Sequence, residues 1–223
     1  MRKWIPLLIV AAAFLASAVV YPRLPERMPT HWELSPHPPG SLPTPNGWSD
    51  RMWGAWALPS FLLGMWALVR ILPKIDPRGS NYAKFGGAFE VIIGSIMLFT
   101  LALHIVVLGA SLGYPMQMQR IIPIGVGVLL VIIGNLLPRT RSNWFLGIRT
   151  PWTLSSDRVW EKTHRLGGRL FVAGGILIII AGLLWVQWAD KILFAVMTVV
   201  AFSVLIYSYL EWKREQPVSA AVK

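Results

Sequence analysis

Six apolar runs, each long enough to cross a bilayer and nearly free of charge, alternate with short basic connections along this chain, and that alternation leaves one architecture open to it. About 17–25 apolar residues suffice to span the hydrocarbon, where only helices or closed barrels can satisfy their own backbone. The runs cover residues 4–20, 53–72, 83–112, 121–137, 168–188 and 191–210. Composition agrees: 55% of the 223 residues are hydrophobic and 14% charged, against roughly a quarter charged in soluble domains. The expected fold is an all-α integral membrane protein. It is a bundle of about six transmembrane helices with a proline-rich outer loop and a basic cytoplasmic loop.

The runs differ in ways that matter for packing. Residues 4–20 follow Arg2 and Lys3 and end in Ala16-Ser17-Ala18, so they read either as a cleaved signal peptide or as a retained first helix, the latter favoured. Pro59 is expected to kink the second helix. Asn81 reads as the N-cap of the third. That third run would reach about 45 Å as a helix, so it must tilt or protrude. It carries Glu90 and His104, and ionisable groups inside a membrane are functional candidates by default. The two lie 14 residues apart, roughly 21 Å along a helix, too far to share one proton-transfer site. Gly125, Gly127 and Gly134 thin one side of the fourth helix, which marks it as a buried packing helix. The last two runs, joined by a turn at Trp188–Lys191, form an antiparallel hairpin.

Residues 21–52 hold eight prolines (22, 25, 29, 36, 38, 39, 43 and 45). Proline fixes φ and removes a donor, so the stretch reads as an extended surface loop without helix or sheet. His31, His37 and Glu33 are of metal-ligand type, but no spacing here matches a metal motif, and His31 and His37 are expected to be dispensable. Trp32, Trp48 and Trp53 are better read as interfacial aromatics that seat the loop at headgroup depth.

Orientation follows from the cations. With the N-terminus inside, sixteen Lys and Arg fall on the inner side and five on the outer side. The positive-inside rule therefore places both termini in the cytoplasm. The net charge of +11 is spread over loops between apolar runs, which speaks against direct nucleic-acid binding. With no cysteine there is neither a disulfide nor a thiol nucleophile.

The densest cationic segment joins the fourth and fifth runs. Arg139, Arg141, Arg149, Arg158, Lys162, Arg165 and Arg169 stand there against Asp157 and Glu161. Ser155 or Ser156 is a candidate N-cap for an amphipathic helix lying on the membrane surface, with Gly167-Gly168 as a hinge into the fifth span. Arg149 sits between Gly147 and Thr150-Pro151, a frame that presents the guanidinium to a carboxylate, a phosphate or loop carbonyls. Arg149→Lys is accordingly expected to impair function nearly as much as Arg149→Ala. Two readings of the segment stand: contact with anionic lipid together with topology, or a specific docking or fold-locking role. The first needs only Lys and Arg. The second accounts for the uncharged residues Asn135, Asn143, Trp144, Trp152, Trp160 and His164.

Gly134-Asn135, Leu137-Pro138-Arg139, Asn143-Trp144, Gly147 through Thr153 and Trp160 through Gly168 resemble the signature of SdpI-like membrane proteins, a family named for a bacterial toxin-immunity protein. The resemblance extends upstream to Leu72 through Pro77, Asn81-Tyr82 and Met28 through Trp32. It implies a multi-pass protein of the bacterial cell membrane, in two modules at residues 1–112 and 113–223. It further implies protection of the cell against a membrane-active peptide toxin, sensed at an outer loop with His31, Trp32 and Trp48. A soluble transcriptional repressor would be recruited on the cytoplasmic side. The motif residues carried over are Asn135, Arg139, Asn143, Trp144, Arg149, Thr150, Pro151, Trp152, Trp160 and His164.

No catalytic motif is present: there is no Gly-x-Ser-x-Gly, no His-Glu-x-x-His and no phosphate-cradling loop. His164 with Glu161 is a lone i, i+3 pair without a partner pair from a second helix. The chain is read as a non-enzyme without cofactor. The alternative reading is a small transporter or lipid-handling protein that uses Glu90, His104 and the Arg149 region as a polar path.

Overall fold

The computed structural model describes residues 4–33 and 41–220, with side chains through Gln216. Arg2, Lys3, Lys223 and the segment holding Pro36, His37, Pro38 and Pro39 lie outside the described residues. Among the described residues six helices are long and apolar enough to cross a membrane. They are α1 (Ile5–Val20), α2 (Arg51–Ile75), α3 (Tyr82–Ser111) and α4 (Met118–Leu136), then, after the short α5 (Pro151–Ser155), α6 (Asp157–Leu184) and α7 (Ala189–Ala220). The chain is a multi-pass membrane protein.

Local chemistry sets the helix ends. Asp50 caps α2 by accepting from the Trp53 N–H at 2.9 Å. At its other end Pro77 forces Asp76 into extended backbone and stops the helix. Gly113, at φ +89°, closes α3: its N–H bonds Ala110 O and the Tyr114 N–H bonds Gly109 O, a Schellman pair. Ser156 caps α6 through the Val159 N–H at 3.2 Å. Asn81 holds the N-cap position of α3, as expected, but its side chain makes no capping bond. Its side chain is drawn away, donating to Ser142 O at 2.8 Å and accepting from Lys84 at 3.0 Å. The helix α2 is continuous through Pro59 and Pro73, whereas backbone angles leave the helical region at Phe85 in α3.

The proline-rich stretch corrects the expectation of an extended loop without sheet. Strands β1 (Arg27–Trp32) and β2 (Pro45–Asp50) pair antiparallel, with Pro29 opposite Trp48 and His31 opposite Gly47. A two-stranded ribbon gives each strand an outer edge where no ladder donor is needed, so Pro29 and Pro45 are tolerated there. The register shifts between Pro29 and His31, and again between His31 and Trp32. The hairpin is anchored by Met28, fully buried with Leu24, Ala55 and Leu108.

Two helical groups build the bundle. Ile9, Val10 and Ala13 of α1 pack with Leu62 and Leu72 of α2 and with Phe85, Phe89, Ile93 and Met97 of α3. In the second group α4 and α6 run antiparallel in near backbone contact. A Cβ on Gly127 would stand 2.7 Å from Gly175 O, and one on Gly134 the same distance from Gly168 O. The reciprocal positions at Gly168 and Gly175 are equally closed, at 2.6 Å. Lipid offers no hydrophobic drive between helices, so close van der Waals approach supplies the attraction, and only glycine permits it here. Gly174 then admits Val196 of α7.

This packing overturns the hinge expected at Gly167-Gly168. The helix α6 is continuous from Asp157, and these glycines serve close contacts with Ile148, Gly134 and Pro138 instead. The face of Val159, Trp160 and Thr163 is buried by protein, so this segment is not a helix lying on the membrane surface. Tyr82 and Phe85, in the first turn of α3, are buried among protein.

Gly134→Ala and Gly168→Ala should each destabilise the protein by about 1–3 kcal/mol, because the neighbour is backbone and cannot rotate away. Gly64→Ala and Gly87→Ala, where an added Cβ meets nothing within 4 Å, should be neutral or slightly stabilising. Thermal unfolding of the four variants in detergent micelles measures the contrast.

Candidate functional site: a polar cap on the central loop

Residues 137–156 carry little regular structure, yet a connection between two spans must find partners for its buried backbone groups. Asn143, fully buried, supplies most of them. Its Oδ1 accepts from the N–H groups of Phe145 and Leu146 at 2.9 and 2.7 Å, and its Nδ2 donates to Arg141 O and Leu146 O at 2.8 and 2.9 Å. The loop thereby folds around one amide.

Asp76, at the end of α2, ties this loop to the first helical group. Its carboxylate accepts from the Trp144 N–H at 3.0 Å, the Tyr82 hydroxyl at 2.9 Å and the Arg78 N–H at 2.7 Å. Arg78 in turn donates to Ser142 Oγ and, at 2.7 Å, to Leu154 O, and it lies 3.6 Å from Asp157. With the bond from Asn81 to Ser142 O, the short α2–α3 connection grips the central loop at four places.

On its other side the loop is held by α6 and α7. Gly147 adopts φ +117°, and a side chain there would collide with Trp160 and His164. The Ile148 N–H donates to His164 Nε2 at 2.9 Å, which leaves Nδ1 to carry the proton given to Trp160 O at 2.8 Å. His164 is therefore a neutral imidazole, stacked 3.9 Å from the Trp160 ring. Trp160 Nε1 bonds Thr140 O at 3.3 Å. Thr150 and Thr153 form a capping box over α5, with Pro151 in the first helical turn, and Thr150 reaches Ser208 of α7 at 3.1 Å. Trp152 packs on Tyr209, ring centroids 5.2 Å apart. Buried Glu211 closes the far side with Lys162 at 2.5 Å and Arg214 at 3.0 Å.

Residues 139–209 match the model of the SdpI/YfhL protein family, and residues 8–63 match a domain of unknown function, DUF1648. Immunity protein SdpI of Bacillus subtilis is 29% identical over 177 residues, covering 79% of this chain and 79% of its own. The chain thus resembles SdpI-like proteins over most of its length. No solved structure matches the chain.

Of the SdpI motif residues, the structure gathers Asn143, Trp144, Arg149, Thr150, Pro151, Trp152, Trp160 and His164 into the cap. Asn135 and Arg139 are exposed at its margin. Arg149 is exposed, and its NH1 donates to Trp144 O at 2.8 Å, a loop carbonyl, one of the three expected partner types. Exposed Arg141 pairs with Glu161 at 2.5 Å. The outer-side candidates lie on the hairpin: His31 with its ring 3.0 Å from Thr30 Oγ1, Trp32 half-buried and Trp48 exposed. Trp53, at the start of α2, is exposed as well. Among the described residues no three His, Cys, Asp or Glu side chains cluster as metal ligands.

Glu90 lines a cavity of about 320 Å³ with Arg70 and Ile93, away from Arg78 and Lys84. His104 is fully buried elsewhere, its Nε2 2.8 Å from Ser17 Oγ, which donates to Ala55 O at 2.6 Å. Neither His104 nor Arg149 borders the Glu90 cavity. Asp76, Arg78, Tyr82, Ser142, Thr153 and Glu211 were not singled out by sequence reasoning as site residues. Asp76 left a signal, a carboxylate directly before a proline between two spans.

Asp76→Ala removes the acceptor of three donors at once and should lower stability by about 2–4 kcal/mol. Exposed Arg165→Ala should stay within about 0.5 kcal/mol. Thermal unfolding of the two purified variants against the parent protein checks both.

Proposed function

We propose that this protein confers immunity in the membrane, protecting its cell against a membrane-active peptide toxin without catalysing a reaction. The similarity to Immunity protein SdpI, spread over 79% of each chain, carries this reading. In the orientation that the cation distribution favours, both termini and the cap face the cytoplasm and the hairpin faces outward. Trp48 and Trp53, 53% and 67% exposed, stand at the outer boundary, where an amphipathic peptide partitions. The toxin meets the protein there, with His31 and Trp32 on the same ribbon.

At the opposite end the cap presents exposed Arg139, Arg149, Arg158, Arg165 and Arg169 on a rigid frame. Such a surface suits an acidic face of a soluble regulator, and a basic rim raises the association rate more than the final affinity. The transport reading would need Glu90, His104 and Arg149 in one polar path, and their separation speaks against it.

The topology is tested by reporter fusions after residues 40, 115 and 190. All three should report the outside; a cytoplasmic signal from the fusion at 40 would contradict the orientation. For immunity, toxin-sensitive cells expressing the protein are challenged with membrane-active peptide toxins, beside cells without it. Survival should require the protein and should fall in the Trp48→Ala, Trp53→Ala double variant at unchanged membrane abundance. Equal killing of cells with and without the protein by every toxin that SdpI-type immunity counters would refute the reading.

A further inference from the structure

The cavity between α1, α2 and α3 combines features that neither packing nor topology requires. Arg70 lies about five residues before the end of α2, roughly 8 Å along the helix axis, and Glu90 lies eight residues after Tyr82, about 12 Å. Both side chains therefore sit one to two turns inside the cap, where headgroups give way to acyl chains on the central-loop side of the bilayer. The space of about 320 Å³ is at the lower end of small-ligand sites. Its walls include Trp66, Phe89 and Met97, so a cation and a carboxylate share an otherwise apolar and aromatic enclosure. The Arg70 guanidinium lies 5.7 Å from the centre of the Trp66 ring, which restricts it to the cavity wall.

We propose that this cavity binds the headgroup of an aminophospholipid of the phosphatidylethanolamine type. Arg70 takes the phosphate, for which a guanidinium offers a fork of donors. Glu90 takes the primary ammonium, and with about four lone-pair sites a carboxylate can do so while engaged elsewhere in the protein. Trp66 and Phe89 flank the glycerol region. An acyl chain alone would gain nothing from two charges in its site. A phosphatidylglycerol headgroup has no cation to offer Glu90. A phosphatidylcholine headgroup has a cation but no N–H to donate to the carboxylate. The two opposite charges thus select a headgroup that carries both and can donate.

Gly86 makes the site separable from the fold. It lines the cavity, and a Cβ built on it meets nothing within 4 Å, so the side chain of Gly86→Leu starts into open space and occupies the cavity. The full chain, purified and delipidated in detergent, is titrated with phosphatidylethanolamine, phosphatidylcholine or phosphatidylglycerol of matched acyl chains, with Tm and lipid retention in native mass spectrometry as readouts. Phosphatidylethanolamine should raise the Tm of the parent protein by about 3 °C or more beyond the other two. In Gly86→Leu that surplus should vanish while the lipid-free Tm holds. In Glu90→Gln the phosphatidylethanolamine and phosphatidylcholine responses should converge. Equal responses of the parent protein to all three lipids, or a surplus that survives Gly86→Leu, would overturn the proposal. Should either variant fail to fold, the other decides alone.

Discussion

A buried amide and a buried carboxylate hold the two halves of this molecule in one arrangement. Asn143 organises the central loop by pairing four backbone groups, and Asp76 attaches the organised loop to the α2–α3 connection. In a membrane protein the apolar faces of helices discriminate weakly among partners, because lipid tails solvate them as well as other helices do. Hydrogen bonds at the membrane boundary have no such substitute once they are enclosed. Each contributes about 1 kcal/mol net, but leaving one of these groups unpaired costs more than the bond contributes. The cap therefore specifies the relative placement of helices that hydrophobicity alone would leave loosely defined.

The same logic explains why the basic loop is not merely basic. Its exposed arginines would serve topology in any conformation. The groups between them, Gly147 at positive φ, the Thr150–Thr153 capping box and neutral His164 bonded at both nitrogens, serve one conformation only. The result is a rigid platform whose outward surface is cationic and whose inner surface is a hydrogen-bond network. Rigidity at this end suits a surface that a partner must recognise, since little ordering entropy then opposes binding.

Much of the fold could be read from the residues, because span length and the glycine spacing of α4 are direct consequences of bilayer thickness and backbone approach. The site was legible only in part. Asn143, Trp160 and His164 stood out as uncharged residues in a charged segment, but Asp76, Arg78 and Asn81, which grip this segment from the α2–α3 connection, lie more than sixty positions from the groups they bond and no local period announces them. The hairpin was missed because eight prolines argue against sheet in general, while a two-stranded ribbon has outer edges that accept them. Asn81 takes the N-cap position without the capping bond for a related reason: a side chain that fits a cap can be claimed by a more distant carbonyl, here that of Ser142. The expected surface helix failed because an amphipathic pattern shows which face is apolar and does not show whether lipid or a folded loop covers it.

The central claim is that the loop is a folded cap and not a mobile basic tether lying on lipid. Hydrogen–deuterium exchange of the amides of Trp144, Phe145, Leu146 and Ile148 in the reconstituted protein tests it most directly, since each donates to a side chain in the cap. Protection comparable to that of the helical amides of α6 is the result this account predicts. Exchange at the rate of an unstructured peptide in that segment, with the helices still protected, would contradict it.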